Sequence, residues 1–138
     1  MQTSAELKDL TLGLYRALTS GDGAFLEQIV SRQEGVLVIG TDPREWWIGH
    51  LTITNRLKVQ MEELGGAFPI IPGDPRAFSA GTVGWVADRA KFRLPDGSEI
   101  ATRLSLVFEK EDAAWKIVQW HISVGVANEE VVHKELTV

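Results

Sequence analysis

The tightest constraint on this chain lies towards its C-terminal end. Two strand-like runs, residues 99–110 and 114–124, are joined by the turn Glu111-Asp112, and neither run has a plainly polar side. With a strand's period of two, one side of the last run carries Trp115, Ile117, Gln119, His121 and Ser123, and the other Lys116, Val118, Trp120, Ile122 and Val124. The preceding run sets Ile100, Leu104, Leu106 and Phe108 against Ala101, Arg103, Ser105 and Val107. An antiparallel sheet with one solvated face should be polar on that face. This one is expected to bury both, with helices on one side and a second copy of the chain on the other. Trp85, Val118, Trp120 and Ile122 then form the contact of a homodimer. Folding of the C-terminal segment over the second face is the competing reading.

The first half of the chain supplies the helices. Leu7, Leu10, Leu14, Ala17 and Leu18 recur at helical spacing, and Thr3 with Glu6 has capping-box spacing. Gly21 ends that helix, and Asp22 caps a shorter one carrying Phe25, Leu26, Ile29 and Val30. A β-rich run at 36–39 follows. Asp42, Pro43 and Glu45 then describe a single helical turn, and a longer helix over 51–64 buries Ile53, Leu57, Met61 and Leu64. Pro69, Pro72, Gly73 and Pro75 hold 68–75 in an extended loop or edge segment. Strands are expected over 77–80, 82–94, 99–110 and 114–124, with Asp96-Gly97 as one of the turns. Helices first and an antiparallel meander afterwards make one α+β domain over 1–138, with 127–138 as a surface tail.

Composition narrows the function. The net charge is −5 and the basic residues form no cluster, which argues against nucleic-acid binding. No stretch reaches the roughly 18 apolar residues of a membrane span. The absence of cysteine removes disulfides, thiolate nucleophiles and Cys-ligated metals, and fits a cytoplasmic protein. His50, His121 and His133 are scattered, and Gly13, Gly21 and Gly23 make no phosphate loop, so neither metal nor cofactor is expected. Five of the eleven aromatic residues are Trp against one Tyr, a bias that fits cavities and interfaces.

Chemistry is expected on the mixed face of the last strand. Gln119, His121 and Ser123 there face Arg103 and Ser105 across the hairpin, and a buried Arg103 needs a carboxylate, for which Asp88 is the candidate. If the three ionisable groups meet beneath the helices, His121 and Asp88 form an acid–base pair with Arg103 as electrostatic partner. The plainer readings are a hydrogen-bonded core histidine and a structural ion pair. Trp47 is either a pocket wall or core.

The order helix, Gly21-Asp22, strand, GTDPREWW turn, long helix and a meander ending in RLSLVFEKEDAAWKIVQWHISVG resembles the SnoaL-like branch of the nuclear-transport-factor-2-like superfamily over about residues 5–126. The strongest marks are Arg103-x-Ser105-x-Val107, Trp115-Lys116-Ile117-Val118 and His121-x-Ser123. The resemblance implies a cone in which three N-terminal helices and a strongly curved antiparallel or mixed sheet enclose an apolar pocket, together with dimerisation through the sheet. It places Tyr15, Trp47, Ser105, Gln119 and Ser123 at that pocket. Ketosteroid isomerases of this superfamily carry a general-base aspartate where this chain has Val36-Leu37-Val38-Ile39, and their helix-one tyrosine is one residue out of step with Tyr15. Related dehydratases pair a pocket histidine with an acid, as His121 and Asp88 would. Related epoxide hydrolases use an Asp–Arg–Asp set, of which Asp88 and Arg103 supply two members. The leading expectation is a homodimer that binds a small, largely apolar molecule. A cofactor-free lyase, isomerase or hydrolase is the alternative, and an interaction module without turnover is the third reading.

Overall fold

Ser4 rather than Thr3 begins the first helix of the computed structural model, which describes residues 1–138. Ser4 Oγ accepts from Leu7 N at 3.2 Å, while Gln2–Thr3 is a short strand, β1. Helix α1 runs Ala5–Ser20 and ends at Gly21, whose φ of 74° is the left-handed conformation that glycine adopts without a Cβ penalty. Asp22 caps α2, Gly23–Ile29, through Phe25 N. The expected helical turn at 42–45 is a single hydrogen-bonded turn, with Glu45 N donating to Asp42 O at 2.9 Å and no helix following. Trp46–Ile48 forms strand β3, hairpinned to β2 (Leu37–Ile39), and α3 spans His50–Glu63.

Beyond α3 lie β4 (Ile70–Ile71), β5 (Arg76–Ala80), β6 (Val83–Asp88), β7 (Lys91–Arg93), β8 (Glu99–Ala101), β9 (Arg103–Glu111) and β10 (Ala114–Ser123). The expected strands over 82–94 and 99–110 are each broken in two. Asp88 Oδ1 accepts from Arg89 N, and Thr102 donates both its N–H and its hydroxyl to Ala90 O, so both strands bend at one level. Their far halves leave the main sheet and pair with β4 as a three-stranded sheet, β4-β7-β8.

The main sheet has the order β1-β5-β6-β9-β10-β2-β3. It is mixed, because β2 lies parallel to β10 and the other pairs are antiparallel. The α+β class and the N-terminal helices packed on the sheet are as expected. The strongly curved cone enclosing a pocket is not. The seven strands form an open sheet with free edges at β1 and β3, because the residues that would have carried the curl belong to the separate small sheet.

Strand β10 departs from simple alternation. Ile117 pairs with Phe108 and Gln119 with Val107, which leaves Val118 as the extra residue of a bulge. Trp115 and Ile117 face the helices before the bulge, and Trp120 and Ile122 face them after it, all four buried. Gln119, His121 and Ser123 therefore lie on the outer face, and His121 is exposed. Trp120 and Ile122, expected at a dimer contact, are core.

From Val124 onward every residue is exposed, including α4 (Asn128–Val132), so the tail does not fold over the outer face. No helix is long and apolar enough to cross a membrane.

The face assignment predicts a sharp contrast between adjacent residues. Ile122→Ala should cost about 2–4 kcal/mol in urea unfolding, as for a buried aliphatic side chain, and His121→Ala no more than about 0.5 kcal/mol.

Candidate functional site

The expected trio does not assemble. Asp88 is on the helix side of β6, while Arg103 and His121 are on the outer side, where His121 pairs with Ser105 and Ser123 with Arg103. The bulge in β10 turns His121 outward, and Arg103 lies outside because its neighbour Leu104 is the residue that pairs with Asp88. Arg103 is exposed and makes no ion pair. Ser105, Gln119 and Ser123, expected in the pocket, share that outer face, half-buried. The buried imidazole is that of His50, whose Nδ1–H donates to Val30 O at 3.0 Å. No three His, Asp or Glu side chains converge as metal ligands.

Asp88 has a different set of partners. Its carboxylate accepts from the Tyr15 hydroxyl at 2.9 Å, Gly73 N at 3.1 Å, Asp74 N at 2.9 Å and Arg89 N at 2.8 Å. Four donors fill the roughly four acceptor positions of a carboxylate and leave nothing for a substrate. The group ties α1 to the loop before β5 and to the end of β6. Gly73 makes room for it, since a Cβ there would lie 2.6 Å from Asp88 Oδ1. Burial first, and then the adjacent Asp88 carboxylate, push the Tyr15 phenol well above its ordinary value.

A cavity of about 160 Å³ lies where the two sheets and the helices meet. Trp47 and Val38 of the β2–β3 hairpin, Trp120 and Ile122 of β10, Leu18 of α1 and Leu57 of α3 form its walls. Ile70, Phe92 and the preceding Phe68 close it from the small sheet, with the two phenyl rings 5.4 Å apart. Polar groups gather at one end, where Gly40, Thr41, Glu45 and Gln60 border it; Thr41 is exposed and Glu45 and Gln60 are half-buried, so this end faces solvent. Trp120, one of the wall residues, has its Nε1 buried with no acceptor in the protein, and it is the one buried side-chain nitrogen or oxygen so placed. An unpaired buried donor costs about 1–3 kcal/mol unless something accepts from it.

Of the expected pocket residues, Trp47 lines this cavity. Tyr15 borders a separate groove with Leu12, Arg16, Thr19, Ser20, Ile70 and Pro72. Sequence reasoning missed Glu45, Gln60 and the inward Trp120. For Trp120 a signal was present: the bulky apolar residues 115, 117, 120 and 122 are spaced two, three and two apart, and that extra step marks a bulge. For Glu45 the signal was its capping-box distance from Asp42. Its carboxylate does accept from Asp42 N at 2.8 Å, with no helix following.

Because the chain has a single tyrosine, its state can be read directly. A pKa raised in the folded state means that this contribution to stability is intact below about pH 10, the unfolded value, and is lost as pH rises above it. Tyrosinate absorbance should therefore stay absent through about pH 10–11 and appear together with loss of near-ultraviolet circular dichroism. Titration near pH 10 in a folded protein would contradict the Tyr15–Asp88 geometry.

A family model described as a SnoaL-like domain matches residues 7–127. No curated protein matches the sequence. Among solved structures, an NTF2-like protein of unknown function from Pseudomonas putida KT2440 superposes with a TM-score of 0.77 at 13% identity, covering 97% of this chain and 96% of that one. An NTF2-like superfamily protein from Salmonella enterica serovar Typhimurium gives 0.74 at 18% identity, with 89% and 91% covered. A protein with a cystatin-like fold from Caulobacter vibrioides gives 0.74 at 12% identity, with 93% and 96% covered. At these identities the likeness is one of fold.

Proposed function

The chain belongs to the SnoaL-like domain family, and from that premise we propose that it binds a small, largely apolar molecule in the cavity between the sheets, with the Trp120 indole N–H donating to an acceptor oxygen on the ligand. The observation that carries this reading is the buried Nε1 with no protein acceptor, on a residue that lines a largely apolar cavity. Size limits the ligand. An apolar cavity of about 150 Å³ accommodates benzene, so one of this volume takes a single ring with short substituents and not a fused polycycle. The His121–Asp88 acid–base reading has no geometric support, since the two side chains are on opposite faces of the sheet and Asp88 has no free acceptor site.

Calorimetric titration with benzaldehyde is expected to give binding that weakens about five- to tenfold in Trp120→Phe, the worth of one hydrogen bond. Ethylbenzene, which has no acceptor, should bind the native protein and Trp120→Phe about equally. Absence of benzaldehyde binding to the native protein would contradict the proposal.

The outer face of the main sheet supports a homodimer, with contact residues different from those expected. Strand register lines up Phe78, Trp85, Val107, Gln119, Leu37 and Ile48 in one row across six strands, and Ile39 and Trp46 continue the apolar surface beside it. Of the expected contact residues, Trp85 remains in this row, at 37% exposure. Two such faces packed together would remove from water an apolar strip interrupted at Gln119. Sedimentation equilibrium is expected to give a particle of two 15.3 kDa chains, reduced to one by Leu37→Asp. A native monomer at micromolar concentration would sink the dimer.

A further inference from the structure

The polar end of the cavity is built with the same care as its apolar part, and Glu45 is at its centre. One carboxylate oxygen, Oε1, accepts from Asp42 N at 2.8 Å and from the Thr41 hydroxyl at 3.5 Å; the other, Oε2, accepts from Gln60 Nε2 at 2.7 Å. Three of a carboxylate's roughly four acceptor positions are thereby filled by groups that hold it still, and one on Oε2 remains. Gly40 shows that the placement is specific. Its φ is not positive, so glycine is not needed there for backbone conformation. A Cβ at Gly40 would instead lie 2.7 Å from Glu45 Cβ, 2.8 Å from Cδ and 2.9 Å from Oε1, so glycine gives the carboxylate the space it occupies.

Two residues of opposite sense therefore border one small cavity: Trp120, whose buried indole N–H has no acceptor in the protein, and Glu45, a half-buried carboxylate. We propose that the site selects single-ring compounds carrying both a carbonyl oxygen and a hydroxyl group on opposite sides of the ring, with the carbonyl accepting from Trp120 and the hydroxyl donating to Glu45 Oε2. This rests on the cavity-binding reading and adds Glu45 as its specificity-determining residue. A donor on the ligand is favoured because a carboxylate only accepts. A ligand that brought an apolar group to that end would strip water from the carboxylate without replacing its hydrogen bond.

Three probes of nearly equal shape separate the two anchors: para-(hydroxymethyl)benzaldehyde, para-ethylbenzaldehyde, which lacks the hydroxyl, and para-ethylbenzyl alcohol, which lacks the carbonyl. With native protein the first should bind about tenfold more tightly than the second, as for one hydrogen bond to a charged group. That ratio should fall to within about twofold in Glu45→Ala, and also in Gly40→Ala, where the added methyl displaces the carboxylate; thermal melting confirms that each variant is folded. In Trp120→Phe both aldehydes should weaken while the hydroxyl preference stays near tenfold, and the alcohol should be almost unaffected. If native protein binds the two aldehydes equally, or if the preference survives loss of Glu45, this inference is wrong and cavity binding stands. If neither aldehyde binds native protein, both fall.

Discussion

One extra residue in one strand decides what the rest of this structure can be. Without the bulge at Val118, the alternation begun by Trp115 and Ile117 would carry Gln119, His121 and Ser123 into the core and place Trp120 and Ile122 outside. With it, both halves of β10 present bulky apolar side chains to the helices. Leu106 and Leu104 of β9 then meet Trp120 and Ile122 in register, and Val38 of β2 lies beside Trp120. Trp120 and Ile122 line the cavity because the bulge turns them inward, and the same bulge puts Gln119, His121 and Ser123 on the outer face.

The second constraint is the buried carboxylate of Asp88. It lies where β6 ends and the chain turns towards the small sheet, and it gathers donors from α1, from the loop before β5 and from its own neighbour. Losing any of these partners would leave a buried polar group unsatisfied. This junction holds the small sheet beneath the helices and so places Ile70 and Phe92 against the cavity. Asp88 thus acts through architecture and is not among the residues that line the cavity.

The sequence made some of this legible and concealed the rest, for identifiable reasons. The helices could be read because their apolar spacing, Gly21 and the Asp22 cap are local signals that tertiary packing had no cause to override. The inward position of Asp88 followed from the alternation Gly84, Val86, Asp88, which no bulge interrupts. The errors came from non-local effects. Asp88 and Thr102 break two long β-rich runs through hydrogen bonds to Arg89 and Ala90, and the breaks turn an expected strongly curved sheet into an open one with a small companion. Parallel pairing of β2 with β10 brings residues 38–60 against the C-terminal strand, which no local pattern encodes. That pairing assembles Glu45, Gln60 and Trp120 around one cavity from three distant segments.

Trp120 is an inward wall residue of the cavity with an indole N–H that no protein group accepts, and the proposed function has a ligand accept from it. Nitrogen–proton correlation spectra of the indole groups test this most directly, with the Trp120 signal identified by its loss in Trp120→Phe. The signal should be protected from exchange with solvent, unlike that of Trp46, which is 59% exposed, and it should move downfield when benzaldehyde is added as the N–H gains an acceptor. An indole proton at Trp120 that exchanges as fast as that of Trp46 and does not respond to the aldehyde would contradict the account.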